Sequence, residues 1–221
     1  MNVASLILSG GASRRMGTPK ALLVYRGETF LDRLIRIFNE TCSSVTVVLG
    51  HDHTIRHRIE RSSEATFVNN PDHEKGQLTS LQCGLKAIPA NAEAVIFTPV
   101  DYPAIEATTI RSLIDAALVS VRIDDNAQGG QSGIDARISV SPPGCILPLV
   151  VVPRHEGRNG HPVLFASSLI AAFLALPPDA EARTIIRRNI ADTAYVDVQD
   201  PGILKDIDDP QAYAELLEAT K

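Results

Sequence analysis

Short apolar runs alternate with stripes of apolar residues at helical spacing along most of this chain. That alternation restricts the fold more than any other feature. Val3-Ala4-Ser5-Leu6-Ile7-Leu8 is a continuous run of the kind found in strands buried on both faces. Phe30, Leu31, Leu34, Ile35 and Phe38 then fall at helical spacing, with Asp32, Arg33 and Arg36 expected on the opposite, charged side. Val45 to Leu49 reads as the next strand, stopped by Gly50, followed by a polar helix over about 54–61 and a short strand over 65–68. Leu78, Leu81, Leu85 and Ile88 stripe another helix, Ala94 to Phe97 form a strand, and Ile110, Leu113, Ile114 and Leu118 mark the helix after it. Such units predict an α/β fold, a Rossmann-like three-layer α/β/α domain whose mostly parallel sheet is covered by helices on both faces.

The pattern breaks from about 121 to 144, where Gln, Gly, Ser, Asp and Pro dominate. A long irregular excursion with a purpose and a tolerated insertion are both open readings of that segment. Order returns with strands at 147–152 and 162–165, helices at about 168–176 and 182–188, and a last strand at 195–198. Asp209-Pro210 opens a closing helix, Asp as N-cap and Pro at the first helical position. With 221 residues, 44% of them hydrophobic, one domain over 1–221 can bury a real core.

A formal net charge of −5 argues against a nucleic-acid or anionic-membrane surface, though a local basic pocket survives it. Cys42, Cys83 and Cys145 are far apart and odd in number, which fits a reduced cytoplasmic setting. No apolar run approaches the ~20 residues of a membrane span. The first apolar stretch lacks a basic leader, and Arg14-Arg15 precede no second one, so no secretory or twin-arginine signal is expected.

The first strand empties into Ser9-Gly10-Gly11-Ala12-Ser13-Arg14-Arg15-Met16-Gly17-Thr18-Pro19-Lys20. Paired glycines let backbone N–H groups approach a ligand closely, and Arg15 and Lys20 add charge-assisted donors, so a polyphosphate suits this loop. It is neither G-x-x-x-x-G-K-S/T, because Thr18 and Pro19 separate Gly17 from Lys20, nor G-x-G-x-x-G. What remains, L-x-G-G-x-S-x-R-M-G-x-x-K, resembles the signature of the MobA/MocA-like nucleotidyltransferases, the family of molybdenum cofactor cytidylyl- and guanylyltransferases. The resemblance covers nearly the whole chain outside 121–144 and implies a fold like that of the nucleotide-diphospho-sugar transferases.

Four further stretches match it. Asn70-Pro71-Asp72-His73-Glu74-Lys75-Gly76-Gln77-Leu78-Thr79-Ser80-Leu81 is similar to the family's N-P-x-x-x-x-G-x-x-x-S-L/I. The resemblance thus implies nucleotide binding by Leu8, Ser9, Gly10, Gly11, Ser13, Arg15, Lys20, Asn70, Gly76 and Ser80. Asp101-Tyr102-Pro103, just past a strand end, matches the family's D-x-P, and Asp206-Ile207-Asp208-Asp209-Pro210 resembles its N/D-I/V-D/N-T-P-E-D/E. That alignment makes Asp101 and Asp208 ligands of Mg²⁺, an ion that takes one or two protein carboxylates alongside phosphates; Asp206 could replace Asp208, and Asp209 is explained as the helix cap. Gly157-Arg158-Asn159-Gly160-His161-Pro162-Val163-Leu164-Phe165 resembles the R-x-G-H-P stretch of the cytidylyl branch, which implies that Arg158, Gly160 and His161 face the acceptor. A turn histidine satisfied by backbone would look the same. His51, His53 and His57 lack a carboxylate or Cys partner at zinc-type spacing, so a polar surface explains them.

The activity implied is transfer of a nucleotide from CTP or GTP to a phosphorylated acceptor such as molybdopterin, with pyrophosphate released. Lys20, Arg15 and Asp101 carry the catalysis, and a molybdoenzyme is the implied downstream partner. Ser9-Gly10-Gly11 resembles the guanine-selective version of the loop, whereas the later stretches favour cytidylyl transfer. A sugar-phosphate or phosphocholine acceptor, and a non-catalytic nucleotide-binding accessory, are the competing expectations.

Overall fold

The computed structural model describes residues 1–11, 15–50, 52–124 and 148–219, with backbone alone over 119–124. Ser13, His51, Cys145 and most of the expected irregular segment lie outside the described residues. In chain order the first half comprises β1 (Val3–Ser9), β2 (Val24–Tyr25), β3 (Glu28–Thr29), α1 (Phe30–Asn39), β4 (Ser44–Leu49), β5 (Thr66–Asn69), α2 (Gln77–Leu85), β6 (Ala94–Pro99) and α3 (Ala107–Asp124). The second half adds β7 (Val150–His155), β8 (Arg158–Asn159), β9 (Val163–Ala166), α4 (Ile170–Leu174), α5 (Arg183–Arg188), β10 (Thr193–Asp197) and α6 (Pro210–Glu218).

The main sheet runs β10-β7-β9-β6-β1-β4-β5, with β8 hairpinned onto β7. β1 lies between two parallel neighbours, Leu6 opposite Thr46 of β4 and Phe97 of β6. Its full burial follows from the sandwich: Val3 and Ile7 join the core under α1, α3 and α6, while Leu6 and Leu8 join the core under α2, α4 and α5. β9 runs antiparallel to both β6 and β7. Its N-terminal end therefore lies at the C-terminal end of β6, with Val163 opposite Phe97. The sheet is mostly parallel and three-layered, as the alternation predicts.

Several local expectations are corrected. Asp32 and Arg33 do not face solvent but are 4% exposed. Arg33 Nε donates to the Pro103 carbonyl at 2.7 Å and Nη2 to that of Ile105 at 3.2 Å, satisfying a loop that no strand pairs with. Asp32 accepts the backbone N–H of Arg61 at 2.8 Å. The polar helix of 54–61 is a 3₁₀ turn over His53–Arg58, N-capped by Asp52, with Ile55 as its one buried residue; so little apolar surface does not sustain an α-helix. α3 continues past the expected break at 121 to Asp124, since no glycine or proline intervenes before Gly129. The helix expected over 168–176 opens as a 3₁₀ turn, Ser167–Leu169, before α4. The Asp209 side chain does accept from Ala212 N at 2.9 Å, capping α6. Among the described residues no helix is long and apolar enough to cross a membrane.

Gly84, in the interior of α2, lies tight against β1 and β4. A Cβ there would stand 2.3 Å from Leu6 Cδ1 and 2.8 Å from Val48 Cγ2. Alanine normally gains about 1 kcal/mol over glycine inside a helix, but overpacking a close-fitted core costs roughly 1–3 kcal/mol. Gly84→Ala is therefore expected to destabilise the protein by about 1 kcal/mol net. A lower urea midpoint at unchanged slope is the readout; a raised midpoint would contradict the packing argument.

Candidate active site

In open parallel sheets, ligands bind beyond the carboxyl ends of the strands. Here β1, β4, β5 and β6 all end on one side, and a cavity of about 530 Å³ opens there. Its walls include Leu8 and Ser9 at the end of β1, Gly10, Gly11, Arg15 and Lys20 after it, Gly76 and Ser80 from the start of α2, and Asp101 and Asp208. His73, Gln77, Ile55, Pro99 and Val100 complete much of the lining. His73 and Gln77 belong to a stretch already conspicuous in the sequence; what the sequence lacked was which turn of that segment faces inward.

Backbone packing shapes the glycine loop. A Cβ on Gly50, at the end of β4, would lie 2.3 Å from the Gly10 carbonyl oxygen, and one on Gly10 would lie 2.7 Å from Ser80 Oγ. Gly76 has φ of 118°, open to glycine but strained for other residues, and from there α2 begins with its N-terminus on the cavity. That end favours an anion.

Asp101 follows β6, and Asp206 and Asp208 follow the 3₁₀ turn Pro201–Leu204. One carboxylate oxygen from each of the three lies within 4.8 Å of the others. Lys20 Nζ donates to Asp208 Oδ1 at 2.5 Å and to Asp101 Oδ2 at 3.3 Å, and Arg15 Nη2 stands 3.9 Å from Asp208 Oδ2. Burial raises the Asp101 carboxyl above its ordinary range despite Lys20. Loss of hydration, with repulsion from Asp101 and Asp208, pushes Asp206 up to about 6. The hydrogen bond from Lys20 lowers Asp208. Burial opposes the charge on Lys20, but its bond to Asp208 and the field of both acids raise its pKa on balance. Asp101 Oδ1 is buried with no hydrogen-bond partner among the described residues. An all-carboxylate set with an unpartnered oxygen suits a hard divalent cation, and these residues fit one.

Other site candidates fall elsewhere. Asn70 does not line the cavity: it is buried, and its Nδ2 donates to the hydroxyls of Thr79 and Ser80, each at 3.0 Å, so it holds Ser80 in place. Arg158 is exposed on β8. Gly160 presses on the Ile203 carbonyl, which a Cβ would approach to 2.3 Å. The His161 ring packs edge-on to Phe97 at 5.5 Å and against Tyr102 at 4.8 Å, and burial pushes its pKa down to about 4. The ring thus packs beside Tyr102, the residue next to Asp101.

The model of the MobA-like NTP transferase domain matches residues 5–194. The chain is 26% identical over 214 residues to the molybdenum cofactor cytidylyltransferase of Escherichia coli (strain K12), covering 96% of this chain and 94% of that protein. It is 33% identical over 102 residues to a probable molybdenum cofactor guanylyltransferase of Bacillus cereus (strain AH187), covering 45% of this chain and 49% of that protein. The crystal structure of Rv0371C from Mycobacterium tuberculosis H37Rv in complex with manganese superimposes with a TM-score of 0.71 at 19% identity, covering 99% of this chain and 100% of that one. A match over most of the chain, on a fold that gathers a glycine loop and an acidic cluster at one cavity, identifies the protein as a nucleotidyltransferase of the MobA-like NTP transferase domain family.

Proposed function

We propose that this nucleotidyltransferase moves CMP from CTP to a phosphorylated molybdopterin acceptor and releases pyrophosphate. The observation that carries the reading is one cavity in which Lys20 and Arg15 of a glycine loop meet Asp101 and Asp208 from distant segments. The acceptor phosphate oxygen forms a bond to the α-phosphorus, and the bond from that phosphorus to its bridging oxygen breaks. Pyrophosphate leaves with the electron pair. The acceptor is already an anion, so no general base is required, and catalysis is alignment plus charge stabilisation.

Backbone N–H groups of the Gly10-Gly11 loop bind the triphosphate, and Lys20 and Arg15 neutralise charge growing on the leaving pyrophosphate. Gly76 and Ser80 flank the base and sugar, with Asn70 fixing the Ser80 hydroxyl. Ser13 takes part in the phosphate loop. Asp101 with Asp208 or Asp206 would hold Mg²⁺, which would supply charge neutralisation and Lewis-acid polarisation. Arg158, the exposed member of the acceptor set, meets the acceptor directly, while Gly160 and His161 shape the wall behind it. CTP is favoured because the likeness to the cytidylyltransferase runs along nearly the whole chain, whereas the guanylyltransferase match spans under half. GTP is the second reading, supported by Gly10-Gly11 and by the higher identity of that shorter match. The reaction belongs to the cytoplasm, with a molybdoenzyme receiving the product.

A panel of nucleoside triphosphates with a molybdopterin acceptor and a pyrophosphate readout tests the reading: turnover is expected with CTP above GTP. Turnover with neither removes it, and tight binding without pyrophosphate release marks a non-catalytic accessory. Lys20→Ala and Asp101→Asn are each expected to lower the single-turnover rate by about 10²–10³, with circular dichroism unchanged; near-normal rates would refute their roles. Saturating Mg²⁺ at 100 times its Kd should stabilise the fold by about 2.7 kcal/mol, seen as a raised Tm that chelator reverses and Asp101→Asn abolishes. Gly50→Ala, which drives a Cβ into the Gly10 carbonyl, should weaken CTP binding about tenfold, equivalent to about 1.4 kcal/mol, by calorimetric titration.

A further inference from the structure

The segments that carry Asp101 on one side and Asp206 and Asp208 on the other run antiparallel and are fastened at both ends. At one end Ile207 N donates to the Asp101 carbonyl at 2.9 Å. In the middle Gly202 lies so close to Ala104 that a Cβ would stand 2.2 Å from the Ala104 carbonyl oxygen. At the far end is Asp200, 5% exposed. Its Oδ2 accepts the backbone N–H of Glu106 at 2.9 Å and the Thr109 hydroxyl at 2.7 Å, and its Oδ1 accepts Gly202 N at 2.8 Å. One buried carboxylate thus joins the start of α3 to the turn that leads into the acidic cluster.

We propose that Asp200 is a positioning residue that sets the separation of the carboxylates across the cation site. The inference rests on the reading of Asp101 and Asp208 as cation ligands. Asp200 touches neither ligand; it fixes the length and direction of the two short stretches from which they project. An acceptor-only side chain is required here, because both oxygens face donors. Asparagine keeps the shape but turns an NH₂ toward one set of donors, leaving buried N–H or O–H groups unpaired. The connection then loosens where the ligands need close placement, as with outer-shell partners of metal ligands in general.

The test is Mn²⁺ affinity, followed by electron paramagnetic resonance on nucleotide-free protein at a temperature where every variant is fully folded. Asp200→Asn is expected to raise the Mn²⁺ Kd by about tenfold. Thr109→Val, which removes one hydrogen bond and nothing else, should raise it less and guards against a misfolded Asp200→Asn. Gly84→Ala, destabilised in a core away from the cluster, should bind Mn²⁺ normally, so affinity is separated from stability. Wild-type Mn²⁺ affinity in both Asp200→Asn and Thr109→Val, with stability alone reduced, would make Asp200 a mere structural pin and overturn the proposal. Unchanged affinity in Asp101→Asn would instead defeat the ligand assignment itself, and this inference with it.

Discussion

Three carboxylates held within 4.8 Å of one another are tolerable only because positive charge is placed among them. Two like charges about 4 Å apart repel by roughly 4 kcal/mol at the effective dielectric of a protein surface. The Lys20 ammonium, bonded to Asp101 and Asp208 at once, offsets that repulsion, and Arg15 adds a more distant guanidinium. Burial first, and repulsion from Asp101 and Asp208 second, push Asp206 up to about 6 despite Lys20 and Arg15. A site so arranged favours a divalent cation and a polyphosphate together, since each neutralises what the other brings.

Holding that arrangement falls to buried polar groups outside the cavity. The stretch after β6 cannot join a sheet, so its carbonyls need other donors. Arg33 supplies them for Pro103 and Ile105, and its planar fork reaches both, which a lysine amine could not do as well. Asp200 then ties the next turn of the same stretch to the C-terminal segment. Gly10 and Ser80 in the cavity wall itself, with Gly50 packed against Gly10, shape the glycine loop by direct steric contact. Placement of the acidic cluster thus depends in part on Arg33 and Asp200, buried side chains outside the cavity.

The alternation of elements was legible in the sequence because β1, β4, β6 and β9 are buried on both faces and the helices that cover them carry apolar stripes. Both arrangements leave a periodic trace in the order of apolar residues, from Val3 to Leu8 in one case and Leu78 to Leu85 in the other. Gly10-Gly11, Lys20, Asp101 and the acidic C-terminal stretch were legible for a different reason: paired glycines and clustered charges stand out whatever surrounds them. The small hairpin of β2 and β3, and the 3₁₀ turns, left little trace because they bury too few apolar residues.

By itself the sequence determined the three-layer α/β architecture, the glycine loop and the pool of acidic candidates, since these depend on local pattern and side-chain chemistry. Which of those residues meet was decided by tertiary structure. Charges on α1 look solvated in one dimension, yet Arg33 is buried against a loop some seventy residues away and Asp32 against the backbone of Arg61. Asn70 and His161 look like ligand contacts in the sequence, and the fold adds what it could not show: one holds Ser80 and the other packs on Tyr102. Asp200 carries no motif at all, and its importance comes from three donors that only the folded chain directs at it. Hydrogen-bond partners distant in sequence leave no periodicity, so only the packed chain can specify them.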